Sequence, residues 1–179
     1  VLILLAAEHL GEWPPLVGWT VSVLLPKPDG GRRPIGLIPA LPRIWSRVRR
    51  DIAAAWERNN SRAYLYGGAG MGAEVAAWKQ VARAELASVS SRIYGQGLLD
   101  LVKAYERIPH WVLLREAQRQ GYPIWLIRLA VAVYRLLRVI KVDEAVSELV
   151  QAIQGIVAGS GSATTEMRLL MMDVVDSAL

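Results

Sequence analysis

The feature that most constrains this chain is the stretch from Gly97 to Pro109. Leu98 and Leu99 deliver one carboxylate, Asp100, and an aromatic ring, Tyr105, follows five residues later. The pattern predicts a strand over Arg92 to Leu101 that ends in an acid. Pro109 then opens a helix, since proline is best tolerated in a first turn. A carboxylate at the end of a strand, followed by a tight turn, is a common way to hold a metal ion against a phosphate.

The rest of the composition narrows the classes open to such a chain. With 179 residues and 53% hydrophobic residues, there is material for one good core or for two small subdomains that share one. Mean hydropathy is +0.26. No uninterrupted apolar run reaches the roughly 20 residues of a spanning helix. The nearest, Pro123 to Ile140, is broken by Arg128, Arg135 and Arg138 and reads as a core helix, so no membrane partner is expected. The absence of cysteine excludes disulfides and thiolate metal sites, and two histidines are too few for a histidine-based zinc site. The net charge of +5, with pI near 9.8, favours a polyanionic partner. Val1 opens the chain without a leader pattern and a helical run reaches Leu179, so both ends are expected to be cuts through a longer protein.

The predicted order is α+β without a simple βαβ alternation. A helix closes at Gly11. Thr20 to Leu25 and Arg32 to Ile38 form a hairpin around Pro26-Lys27-Pro28-Asp29-Gly30-Gly31. One helix runs from Pro42 to Asn59, with Ile44, Val48, Ile52 and Ala55 as its apolar stripe. Arg43, Arg47 and Arg50 line an adjacent face. A second helix, Ala73 to Ala87, has Val75, Trp78, Val81, Ala82 and Leu86 as core candidates. Gly121 caps the helix begun at Pro109, and Pro123 starts another that runs to about Leu137. A second hairpin spans Arg138 to Ile153, turning at Asp143-Glu144. A Gly/Ser loop over Gly155 to Ser162 leads into a helix from Thr164 to Leu179, with Met167, Leu170, Met171, Val174 and Ala178 on one face.

Three of these segments resemble motifs of reverse transcriptases of the non-LTR retroelement type, in family order. Leu25-Pro26-Lys27-Pro28-Asp29-Gly30-Gly31-Arg32-Arg33-Pro34-Ile35 resembles the fingers hairpin. Gly97 to Pro109 resembles the first catalytic motif. Gly155-Ile156-Val157-Ala158-Gly159-Ser160 resembles the loop that opens a long palm helix. Gly67-Gly68-Ala69-Gly70 is only weakly similar to a glycine-rich fingers loop, and no P-loop signature follows it.

The resemblance implies a right-hand polymerase fold, with fingers over 1–95 and a partial palm over 96–179. It implies two-metal nucleotidyl transfer with Mg²⁺, in which Asp100 and the Leu101 carbonyl are metal ligands. Lys27 and Arg33 would contact the dNTP triphosphate through charge-assisted bonds, with Arg32 a weaker candidate. Tyr105 would be the aromatic gate under the sugar. Gly155, Gly159 and Ser160 would support the template–primer, and Arg43, Arg47 and Arg50 would track a template backbone by counterion release. The implied partners are an RNA/DNA template–primer and dNTPs.

The chain departs from the family pattern at three positions. Glu106 stands for the usual Asp, Ala158 for Gln and Gly161 for Pro. The paired aspartates of the family's later palm hairpin are absent. Asp173-Val174-Val175-Asp176 is helical in spacing, with its acids expected to face solvent. The 179 residues alone are therefore expected to be inactive. The alternatives are a non-catalytic nucleic-acid-binding remnant of a decayed element, or a fingers–palm fold kept as an interaction module.

Overall fold

The computed structural model describes residues 1–67, 71–97, 100–157 and 159–178. Within them the chain is α+β, with seven α-helices and one small mixed sheet. The helix α1 (Leu2–Leu10) ends where Gly11 takes φ +72, its amide donating to the Ala7 carbonyl at 2.7 Å. This is the left-handed cap expected of glycine. The strands β1 (Thr20–Pro26) and β2 (Arg32–Leu37) form the expected basic hairpin. Its turn closes through Lys27 N–H to the Gly31 carbonyl and Gly31 N–H to Asp29 Oδ1, with Gly30 at φ +79.

The sheet order is β2-β1-β3-β4, and β5 also pairs with β3. The strand β3 (Leu137–Val142) runs parallel to β1, with Thr20 opposite Arg138 and Val23 opposite Lys141. The strands β4 (Ala145–Val146) and β5 (Val150–Gln151) return antiparallel against β3, and Asp143 takes a positive φ in the turn between β3 and β4. The second hairpin is thus present, but as two short pieces.

Two further expectations also hold. The helix α5 (His110–Arg119) follows Pro109, and Gly121 at φ +63 ends its capping turn. The helix α6 (Ile124–Tyr134) is the buried apolar helix, with Leu126, Ile127, Leu129, Val131 and Val133 all in the core. Among the described residues, no helix is long and apolar enough to cross a membrane.

Other expectations are corrected. The segment around Asp100 is not a strand: residues 92–97 and 100–101 are irregular and exposed, with Ile93 fully in solvent. A strand needs a neighbour for its backbone groups, and β1 and β3 already satisfy each other. The helix expected over Pro42–Asn59 breaks at Arg49 into α2 (Ala40–Val48) and α3 (Arg50–Asn59).

There the Arg49 guanidinium grips Glu8 with two bonds, Nε–Oε1 at 2.6 Å and Nη2–Oε2 at 2.9 Å, while Trp45 Nε1 donates to the same carboxylate at 2.7 Å. Trp45 faces inward beside that grip, and Trp56 is also buried, its indole donating to the Gln120 carbonyl at 2.9 Å. Ile44 and Val48, expected inside, stay exposed. The bond from Arg49 also holds the Glu8 carboxyl below its ordinary range.

The core candidates of α4 (Ala73–Val89) lie outside the core: no residue of this helix is buried, and Trp78 is 74% exposed. On α7 (Ala163–Asp176) the fully buried face is Thr165, Glu166, Arg168, Leu169 and Met172; Met167 and Leu170 pack partly buried at its edge, and Val174 is exposed. The acids Asp173 and Asp176 are ion-paired rather than simply solvated. Asp173 meets Arg119, with Nη2–Oδ2 at 2.6 Å, and Gln120. Asp176 meets Arg62 at 3.0 Å and the Tyr64 hydroxyl.

One core joins residues on both sides of position 95, including Ala7, Trp45 and Trp56 with Leu113, Ile127, Leu169 and Met172. Truncating Leu169, which is completely buried, to alanine should cost about 2–5 kcal/mol. Trp78→Ala should stay within about 0.5 kcal/mol. Chemical denaturation of the two variants checks the inversion of what helical spacing predicts for Trp78.

Candidate functional site

The Gly155–Ser162 loop is where the separately read segments meet. Gly155 N–H donates to the Ile108 carbonyl at 2.7 Å, and Ile156 N–H donates to the Tyr105 carbonyl at 2.8 Å. Gly155 has φ +92, and a Cβ there would lie 2.9 Å from the Glu106 carbonyl oxygen. Only glycine combines that backbone angle with that approach. Gly159, at φ +101, lies against β2, where a Cβ would stand 3.1 Å from the Gly36 carbonyl oxygen. A Cβ on Gly161 would meet Ser46 Oγ on α2 at 3.2 Å. The loop therefore touches the segment after Asp100, the basic hairpin and the arginine-bearing helix.

Beside this loop lie two adjoining hollows of about 220 and 410 Å³. They share Trp45, Ser46, Arg47, Ala130, Gly161 and Ser162 and form one groove. Arg43 and Arg47 border the first hollow with Gly159 and Ser160, while Arg47 and Arg50 border the second. None of Lys27, Arg33, Arg43, Arg47 and Arg50 enters an ion pair among the described residues. Arg32 pairs with Asp143 at 3.4 Å across an exposed contact that contributes little to stability.

The remaining predicted residues are not gathered here. Asp100 and Leu101 are exposed, and no side-chain hydrogen bond or ion pair among the described residues joins Asp100 to Lys27, Arg33 or the loop. Tyr105 begins a short 3-10 turn and is 37% exposed; its backbone, not its ring, makes the contact to the loop. Among the described residues, no three His, Asp or Glu side chains cluster to hold a metal ion. One carboxylate and one carbonyl do not fit a two-metal site. The expectations at 68–70, 98–99 and Ala158 lie outside the described residues.

Sequence patterns alone missed the polar cluster behind the groove. Glu166 is fully buried. Its carboxyl accepts from the Tyr134 hydroxyl at 2.7 Å and from Ser162 Oγ at 2.8 Å. Tyr134 also meets Ser160 Oγ at 2.7 Å. Burial pushes the Glu166 carboxyl up to about 7, against an ordinary 4.5, although the bonds from Tyr134 and Ser162 oppose the rise. Burial and the Glu166 charge keep the Tyr134 phenol protonated well above its ordinary range. Thr165 Oγ1 donates to Glu57, a second acid in the groove.

His110 Nε2 lies 2.9 Å from the Gly155 carbonyl. A carbonyl only accepts, so that nitrogen carries the proton. Burial holds the His110 imidazole below its ordinary range. The signal for Glu166 lay in the spacing: Ser162, Glu166, Leu169 and Met172 recur along one face of the helix.

No protein-family model matches the chain, and no curated protein matches its sequence.

Replacing Gly155 with alanine should destabilise the fold by about 2 kcal/mol, because a strained left-handed residue would also press on the Glu106 carbonyl; equilibrium unfolding measures this. For Glu166, the folded state keeps a proton that the unfolded state releases between about pH 4.5 and about 7. Its stabilising contribution is whole below that window and is lost as pH rises through it, by roughly 3 kcal/mol. His110 acts oppositely: its contribution is lost as pH falls through the imidazole range. Unfolding curves from pH 5 to 8 should therefore show a loss of stability at neutral pH that Glu166→Gln removes.

Proposed function

We propose that this chain supplies the fingers and the first part of the palm of an RNA-directed DNA polymerase of the non-LTR type, and that its groove seats a nucleic-acid strand. One observation carries the reading. Two segments far apart in sequence, the basic hairpin and the stretch after Asp100, each similar to a polymerase motif, meet a third such segment, the Gly155–Ser162 loop, at Gly155 and Gly159. The groove beside it has the chemistry a strand needs. Arg43, Arg47 and Arg50 offer uncommitted cations to phosphates, and Trp45 and Ala130 offer apolar surface beneath them. Lys27 and Arg33 on the hairpin are kept as the triphosphate contacts, and Tyr105 as the sugar gate.

A second reading has its own support. Asp100 lies in an exposed segment, and among the described residues no group of three His, Asp or Glu side chains forms around it; this favours a segment that holds nucleic acid without chemistry of its own. The two readings diverge in whether dNTPs change binding.

Fluorescence anisotropy with an RNA–DNA primer-template tests the shared claim. Arg43→Ala/Arg47→Ala/Arg50→Ala should weaken binding on the order of tenfold or more and reduce the salt dependence by nearly one counterion per lost phosphate contact. Unchanged affinity and salt slope would remove the groove from the proposal. Tighter primer-template binding with dNTP, lost in Lys27→Ala/Arg33→Ala, favours the polymerase reading; indifference to dNTP favours the binding segment. Primer extension by these 179 residues should yield no product. A product abolished by Asp100→Ala would show that the paired aspartates are dispensable.

A further inference from the structure

Four polar side chains behind the groove form a closed circuit. Glu166 meets Ser162 Oγ at 2.8 Å, Ser162 meets Ser160 Oγ at 3.0 Å, Ser160 meets the Tyr134 hydroxyl at 2.7 Å, and Tyr134 returns to Glu166 at 2.7 Å. Each of these four contacts is within hydrogen-bond distance, so each needs one proton. The three hydroxyls supply three. With Glu166 ionised, Tyr134 and Ser162 both donate to the carboxylate, Ser160 donates to Tyr134, and the Ser160–Ser162 contact has no proton. With Glu166 protonated, every member donates once and accepts once. Glu166 donates to Ser162, Ser162 to Ser160, Ser160 to Tyr134, and Tyr134 to Glu166.

We propose that Glu166 is a positioning residue whose carboxyl proton closes this ring, and that loss of the proton opens the Ser160–Ser162 edge and loosens the groove wall. No cation lies within ion-pairing distance of Glu166 among the described residues to hold it ionised, and a buried carboxylate without a counterion is costly. Other charged and titratable groups lie near the ring: Arg138 on β3 donates to the Tyr134 carbonyl at 2.6 Å, and Arg43 on α2 borders the hollow with Tyr134 and Ser160. Tyr134 on α6 and Tyr122 before it stay protonated. Glu57 on α3 is bonded to Thr165, Arg168 on α7 points its guanidinium to the Glu57 and Gly67 carbonyls, and Arg47 on α2 faces the shared hollow. His110 on α5 lies 6.2 Å from the Tyr134 ring and holds the other end of the loop.

The consequence for ligand binding rests on the groove reading above. Ionising Glu166 places a negative charge behind Ser162 while opening the wall, so polyanion affinity falls. The test uses the whole chain with ¹⁵N-serine and carboxyl-¹³C glutamate labels. One glutamate should titrate at about pH 7, and the Ser160 and Ser162 amides should shift with it. In Glu166→Gln, whose amide mimics the neutral acid, the amides should stay at their low-pH positions. A transition of these amides that persists unchanged in that variant does not come from Glu166 and would overturn the ring.

Anisotropy with a fluorescein-labelled single-stranded RNA should weaken on the order of threefold across the same transition, and in Glu166→Gln it should not. If the amides shift and RNA affinity does not, the ring stands and its coupling to RNA binding is overturned; the groove reading itself falls only if the arginine variant also leaves affinity unchanged. If no glutamate in the wild-type chain titrates above about pH 6, the ring proton is overturned whatever RNA does, and that measurement needs no variant to fold.

Discussion

The helix α6 is buried over most of its circumference, with only Ile124 and Arg128 at the surface, and the packing of the domain follows from that. Its apolar residues recur around its whole circumference, a pattern that belongs inside a protein. Ala7 from α1, Leu113 and Ala117 from α5, the two indoles Trp45 and Trp56, and Leu169 and Met172 from α7 join it in one core. Even its polar edges are recruited. The Trp13 indole donates to the Leu129 carbonyl at 3.0 Å and pins the connector after α1 against it. At its far end the helix carries the Tyr134 hydroxyl into the interior, where a polar group must find partners. Glu166 and the loop serines are those partners, so the polar cluster follows from burying this helix.

The Gly155–Ser162 loop inherits that constraint at one end and a steric one at the other. Tyr134 and Glu166 hold its serines, while Gly155 and Gly159 let its backbone lie against Glu106 and Gly36. A satisfied polar network in a low-dielectric setting specifies one arrangement, and a half-satisfied one does not. That makes the proton count of the ring a matter of loop geometry as well as of charge. The groove gains its shape from the same elements, with the arginines of α2 and α3 on one wall and the loop on the other.

Much of the framework was legible from local patterns. Gly11, the Asp29-Gly30 turn, Pro109 with Gly121, and the apolar α6 each announce themselves through backbone chemistry that acts over a few residues. The facing of the helices was less legible. On α2 and α3 a stripe of Ile44 and Val48 looks as good as one through Trp45 and Trp56, and the bonds from Arg49 and Trp45 to Glu8 decide between them. On α7 the fully buried places fell to Leu169 and Met172, on a helix that packs against α5. The strand expected before Asp100 had the right composition and no place in the sheet.

The candidate site divides the same way. The amino-acid order by itself determined which segments carry glycines, cations and the lone carboxylate, and it put Arg43 and Arg47 on one helical face, while the break at Arg49 carries Arg50 onto the next helix. Those properties depend on backbone freedom and on spacing within single elements. Only the tertiary structure brought Gly159 against the basic hairpin, Gly155 against the Tyr105–Ile108 turn, and Glu166 beneath the serines. It also left Asp100 exposed. Such contacts join residues tens of positions apart, and they are selected by which apolar faces can be buried together, a global requirement that no local pattern contains.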